Sequence, residues 1–423
     1  MRHLLKVLLL IMMIATFFSG CERKEKKDNA EDGGIISSLE SDLSSTDEEE
    51  TIEIVLAVKS HRKDLYQAIA NVYNKKDPHR QVVVKSDYYK SRLLEEFDAG
   101  KGPVLVDTLL CGYAEQKQRW EPLDDLLARE EFKGVFFENI LATCKIDGVT
   151  YGIPMDFSID TVITQDPISP AEWTYDYFIK AAKEREYLAL FEPPYGGDAR
   201  WKLIFIFFMS TLEDSYFINM QDSENPVDLE KLNEVLDLAE KYGAGGSQMD
   251  DWREHFRNGE LLCQDSVIQG GDAMFYRKKD YGKDIRYVGY PTRDGGKSYA
   301  AVMPLVIRAS ASEEEKEIAR EFMLEAISYE GQMAAYKGWM NFGLSIRRDV
   351  LENQSRVQFQ FADQLKELIE SACGKQSASD ELYDTMYDSI DDLFERYFNE
   401  ELSRDALFEE LKALLQSHYL EGR

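Results

Sequence analysis

The sequence predicts an α/β fold in two lobes, and three observations point that way. Between Ile52 and Leu110 short apolar runs alternate with amphipathic stretches, in the order strand, helix, strand, helix, strand. That order implies a mostly parallel sheet covered by helices on both faces. Past the N-terminal segment the 423-residue chain leaves about 400 residues, more than one core usually organises. The most apolar stretch of that remainder, Leu203 to Met209, is only seven residues and reads as a buried element, not a membrane span.

The N-terminus is set apart by its chemistry. Arg2, His3 and Lys6 precede an almost unbroken apolar run from Val7 to Phe18, too short to anchor stably across a bilayer. Residues 1–20 are read as a signal peptide. Ser19-Gly20-Cys21 follows, and resembles the lipobox of bacterial lipoproteins, with Phe18 in place of the usual leucine. The resemblance implies lipid attachment at Cys21. The alternative is an ordinary secreted protein whose cysteine merely lies near the cut. Residues 21–50 carry that cysteine and an acidic, Ser- and Gly-containing stretch with little to bury, expected to be a disordered tether. Its root-mean-square reach is roughly 30 Å.

The elements then follow in order. Ile52–Val58 is a strand, and Leu65, Ile69, Val72 and Tyr73 mark a helix ending at Asp77-Pro78. Gln81–Lys85 is a strand, Ser91–Phe97 a helix closed by Gly100 and Gly102, and Val104–Leu110 a third strand. Ligands sit at the carboxyl ends of strands in such sheets, so the loops after Val58, Lys85 and Leu110 are expected to line a cleft. Leu229, Leu232, Val235, Leu236 and Ala239 form one helix face, with Asp228 as N-cap and Gly243 as stop. Ile285–Tyr290 and Val302–Ile307 read as strands around a turn at Pro291–Gly296. Ser312 opens a helix to Ile327, with Glu315 completing a capping box. Two amphipathic helices, Leu382–Tyr397 and Leu407–Leu415, close the pattern.

The formal charge is -29, two units more negative without Arg2 and Lys6. Repulsion from phosphates argues against nucleic acid as a partner. Cys111, Cys144, Cys263 and Cys373 show no metal-ligand spacing and are expected to be buried thiols, although two disulfides remain open. No metal or cofactor is expected.

Several short motifs occur in a telling order. Ala99-Gly100-Lys101-Gly102-Pro103 leads into the third strand, and Trp120–Leu126 (Trp-Glu-Pro-Leu-Asp-Asp-Leu) follows. Asp147–Pro154 (Asp-Gly-Val-Thr-Tyr-Gly-Ile-Pro), Trp173-Thr174-Tyr175-Asp176, Phe256–Glu260 (Phe-Arg-Asn-Gly-Glu) and Gly289-Tyr290-Pro291-Thr292 come next. Gly331-Gln332 and Trp339 complete the series. Each is weak alone. In this order, over nearly all of Ile52–Leu420, the chain resembles the family 1, sugar-type extracellular solute-binding proteins of ABC importers.

That resemblance implies a type II periplasmic-binding-protein fold closing on its ligand by hinge motion. It implies crossings near Met155–Ser158, Tyr290–Arg293 and Tyr329. Lobe 1 is then 51–157 plus 291–328, and lobe 2 is 158–290 plus 329–423. A sugar pocket needs aromatic faces for the ring, and carboxylates or amides for the hydroxyls. The candidates placed at the cleft are His61, Tyr89, Tyr113, Asp156, Phe157, Asp265, Ser266, Gln269 and Trp339, with Tyr89, Tyr113 and Trp339 foremost. Expected partners are a small solute, most readily a sugar, permease subunits and the membrane through a lipid anchor, with the protein itself a monomer at the outer face of the cytoplasmic membrane.

An enzyme or ligand sensor on the same fold is the alternative, as is a nucleoside, peptide or polyamine cargo. Thiaminase I, which shares this fold, has a nucleophilic cysteine four residues past the matching proline; here Ser158 stands there. No Gly-x-Ser-x-Gly or His-Glu-x-x-His pattern occurs, so no enzymatic activity is expected.

Overall fold

Three parallel strands come first among the described residues, as the apolar runs predict. The computed structural model describes residues 51–421, apart from 115, 192–199, 201–203, 205–216, 219–221, 223, 247–251, 270–278, 282–284, 339–342, 355–361 and 375–379. Strand β1 (Ile52–Ala57), helix α1 (Lys63–Lys76), β2 (Arg80–Lys85), α2 (Lys90–Asp98) and β3 (Leu105–Asp107) alternate. β1 lies between β2 and β3, parallel to both. α1 buries Leu65, Tyr66, Ile69, Ala70 and Tyr73 on one stripe. It stops at Asp77, which is extended because the residue before a proline avoids the helical region.

β3 is shorter than the expected strand to Leu110. The Asp107 carboxylate accepts from the Leu109 backbone N–H at 3.0 Å and turns Thr108–Leu110 into a 3-10 turn. Sequence patterning saw an apolar run there, but a short side-chain bond to the backbone competes with ladder pairing. A second departure concerns Gly243. The helix α5 described below runs on to Gly246, since one glycine costs only about 1 kcal/mol in a helix.

After the short helix α3 (Glu138–Ala142) comes β4, Gly152–Thr164, thirteen residues long. Then follow α4 (Tyr175–Glu184), α5 (Leu229–Gly246), β5 (Cys263–Ile268), the hairpin β6 (Tyr290–Thr292) and β7 (Gly295–Lys297), and β8 (Tyr299–Ile307). α6 (Glu313–Ala326) carries the expected Ser312–Glu315 capping box. α7 (Tyr329–Gly338), β9 (Leu344–Ser345), α8 (Ala362–Ser371), β10 (Cys373–Gly374), α9 (Asp380–Phe398) and α10 (Arg404–Glu421) complete the main elements. The main sheet runs β9-β4-β8-β3-β1-β2, with β5 on β4 and β10 on β8.

β4 and β8 are antiparallel, and β4 contributes side chains to two cores. Ile153, Met155, Phe157 and Ile159 of β4 belong to the first core, with Leu65, Ile69, Leu105 and Phe322. Val162 belongs to the second, with Trp173, Phe178, Leu236 and Phe394. Between the pairs Val302–Phe157 and Pro304–Pro154, three steps on β4 match two on β8. This is a bulge, with Met155 and Asp156 facing Met303, and such bulges bend a strand and re-aim its side chains. The first expected crossing, Met155–Ser158, falls on it.

The hairpin β6–β7 sits beside the second core, where Tyr290 packs and Thr292 bridges Thr174. β8 follows that hairpin, and its Leu305 and Ile307 pack in the first core. Ala335, Leu344 and Ile369 pack in the first core, and Ile390, Leu393 and Phe394 in the second. Buried Gln332 ties α7 to the first core: it donates to the Met155 carbonyl at 2.9 Å and accepts from Ser345 Oγ at 2.7 Å. β10 pairs with Tyr299 and Ala300 of β8. Ile204, from the apolar run at 203–209, is buried in the second core; the rest of that run lies outside the described residues, as do the signal peptide and tether.

Candidate functional site

The site is built from strand ends. β3 and β4 both run antiparallel to β8, so β4 leaves the first lobe at the edge where β1, β2 and β3 have their carboxyl ends. That edge is where ligands meet α/β sheets.

Arg62 closes the 3-10 turn between β1 and α1 and is only 6% exposed. Its Nε donates to Asp107 Oδ2 at 2.7 Å and its Nη2 to Asp156 Oδ1 at 2.8 Å. The remaining oxygens are also engaged: Asp107 Oδ1 by Leu109 N–H, and Asp156 Oδ2 by Gly343 N–H at 3.1 Å. The guanidinium lies 5.5 Å from the Tyr66 ring centre. One cation therefore serves two buried carboxylates from different strands.

The electrostatics follow from this placement. Burial alone lowers the pKa of Arg62, but Asp156, Tyr66 and Asp107 outweigh it and hold the guanidinium charged. Burial pushes the Asp107 carboxyl up, against the pull of Arg62. Burial also raises the Tyr66 hydroxyl well above its ordinary value, and Asp107 adds to the effect. Removing one partner of a buried pair strands the other charge, so the cluster is rigid by necessity.

The residues expected at the cleft differ in their exposure. Tyr89 is 60% exposed and His61 is exposed, both on loops after parallel strands, and Gln269 is exposed just past β5. Asp265 is half-buried on β5. Tyr113 and Phe157 are core residues. The Tyr113 hydroxyl donates to the Cys144 carbonyl at 2.5 Å and accepts from Tyr151 N–H at 3.2 Å, while its carbonyl accepts from Trp120 Nε1 at 3.0 Å. Phe157 packs edge-on against Phe137, 6.1 Å between ring centres. Trp339 and Cys21 lie outside the described residues. Cys111, Cys144 and Cys263 are buried thiols and Cys373 is half-buried; burial pushes the Cys144 thiol up to about 12.

Beyond the bulge the face of β4 changes partners. Asp160 stands opposite Tyr299, and Val162 opposite Asp265. Burial raises the Tyr290 hydroxyl, and the charges of Asp265 and Asp160 push it further. Asp156 and Asp160 are four residues apart on one strand, about 13 Å. On β5, Ser266 Oγ and Gln264 Oε1 are buried without a hydrogen-bonding partner. Next to them Thr161 Oγ1 and Ser298 Oγ share a 2.7 Å hydrogen bond.

Arg62 is the residue that sequence reasoning passed over. It sits between Lys59, His61 and Lys63 and reads as one more solvated charge. The signal was Asp107, an aspartate inside an apolar strand, which has to find a cation or donor when buried.

A model of the bacterial extracellular solute-binding proteins matches residues 68–361. No curated protein matches the sequence significantly. Among solved structures, a sugar-binding protein MalE from the phytopathogen Xanthomonas citri is similar with a TM-score of 0.62 at 14% identity, over 88% of this chain and 98% of that one. A cyclo/maltodextrin-binding protein complexed with maltotetraose gives 0.55 at 15% identity, over 86% and 96%. Maltose-bound MalE3 of T. maritima gives 0.54 at 16%, over 86% and 99%. At these identities the likeness is one of fold.

Proposed function

The chain belongs to the bacterial extracellular solute-binding proteins, and on that premise we propose that it is a lipid-anchored receptor that closes two lobes on a small carbohydrate and hands it to an ABC permease. The carrying observation is the wall at the carboxyl edge of β1–β3. There a buried Arg62–Asp107–Asp156 cluster ties β3 and β4 to the loop after β1, and the exposed ring of Tyr89 lies on the loop after β2. Rings of this kind cover the apolar face of a sugar. Across the hinge, Asp265 and Gln269 offer acceptors and donors to hydroxyls, which lose affinity when buried unpaired. The named ligands of the similar folds, maltose and maltotetraose, support the same class of cargo.

Closure is a population shift. A ligand that touches both lobes favours the closed state by the extra contacts it makes there. A residue set split between β1–β3 and β5 suits that arrangement.

Thermal-shift screening of the mature protein against sugars and other metabolites tests the cargo, since binding to the folded state raises the melting temperature by mass action. Stabilisation by an oligosaccharide without turnover is the expected result. Conversion of the hit would replace the receptor with an enzyme, and stabilisation by amines or nucleosides alone would remove the sugar. Cys21→Ser is expected to move the protein out of the membrane fraction; retention there would end the lipid-anchor assignment.

A further inference from the structure

We propose that Asp156 is a positioning residue that sets the resting angle between the lobes, rather than a ligand contact. This rests on hinge closure about β4, part of the reading above. Both its oxygens are spent inside the protein: Oδ1 on Arg62 Nη2 and Oδ2 on Gly343 N–H. It is 6% exposed, and it sits on the bulge where β4 slips by one residue against β8.

The two partners come from opposite sides of the strand's exit from lobe 1. Arg62 ends the loop after β1, one cleft wall. Gly343 leads into β9, which pairs with β4 at Phe157 and Asp156. Gly343 is also pressed against the hinge: a Cβ built there would lie 2.7 Å from the Phe157 carbonyl oxygen and 3.0 Å from Asp156 Oδ2. Asp156 thus ties two segments of lobe 1 to the point where β4 bends. Asp107 holds the same guanidinium, but from β3, wholly inside lobe 1. The two carboxylates share Arg62 and differ in what else they hold.

That difference supplies the test. Asp156→Asn and Asp107→Asn each remove one negative charge beside Arg62. Small-angle scattering of the full chain without ligand reads the mean separation of the lobes, and amide exchange reads the bulge. Asp156→Asn is expected to shift the radius of gyration and lose protection at residues 155–158. Asp107→Asn is expected to lose protection at Leu109 while keeping the wild-type radius. Gly343→Ala, which leaves every charge in place, is expected to shift the radius as well, and it carries the test if Asp156→Asn fails to fold. A wild-type radius in Gly343→Ala or in folded Asp156→Asn overturns the proposal, and so does an equal shift in Asp107→Asn. No ligand enters the measurement, so a protein that binds no sugar would leave the result standing.

Discussion

The two ends of the β4 strand treat their polar groups differently. At Asp156 every carboxylate oxygen of the cluster has a donor, and the cation has acceptors on two strands. Past the hinge, Ser266 and Gln264 bury oxygens that have no hydrogen-bonding partner. The first arrangement is expensive to break, because each group is satisfied only by the others. The second already carries a cost, about 1–3 kcal/mol for each orphaned group.

Four substitutions break or sharpen this contrast. Arg62→Ala leaves two buried carboxylates facing each other, and a loss of about 3–5 kcal/mol is expected from chemical denaturation, read as a lower midpoint at unchanged slope. Tyr113→Phe tests whether the expected ligand ring is really a strut. It orphans the Cys144 carbonyl and the Tyr151 amide and should cost about 1–3 kcal/mol, with ligand affinity unchanged; a loss of affinity at full stability would return Tyr113 to the pocket.

Ser266→Ala removes an unpaired oxygen, so its stability is expected to match or exceed the wild type, within about 1 kcal/mol. A clear loss would show that the lobe 2 wall is as tightly satisfied as the lobe 1 wall. Tyr89→Ala should change stability least, within about 0.5 kcal/mol, because the side chain is largely exposed. Its effect belongs in calorimetry with the ligand found by screening, as weakened binding; an unchanged affinity would take Tyr89 out of the site.

Much of the first lobe was legible in advance. Periodicity located β1, α1, β2 and α2 to within a residue or two of their ends, and Asp77-Pro78 marked the end of α1 through a local steric rule. The Ser312–Glu315 box likewise located the start of α6. Failures came where a distant partner decided the outcome. β3 ends early because Asp107 bonds to the next turn. α7 and α8 pack with the first core because their apolar residues and Gln332 find partners there, although nothing local to Tyr329 announces it.

The candidate site divides along the same line. Its location, in loops after parallel strands, follows from topology, and Tyr89 and His61 are found on such loops. The roles of its residues do not follow. Tyr113 and Phe157 carry the aromatic chemistry of a sugar site, yet their surroundings make them core. Arg62 carries the chemistry of a solvated surface, yet it is buried and pairs with carboxylates on two strands.

The sequence by itself determined the alternation of elements, the helix stops and caps, and the motif order that matches a solute-binding family, because these depend on near neighbours and on spacing. Only the tertiary structure decided that Asp107 and Asp156 share one arginine, that β4 bulges between them, and that residues 335–372 return to the first core. The physical reason is burial. Water leaves a charge free of obligation, and its removal forces a partner that stands 45 or 94 residues away along the chain.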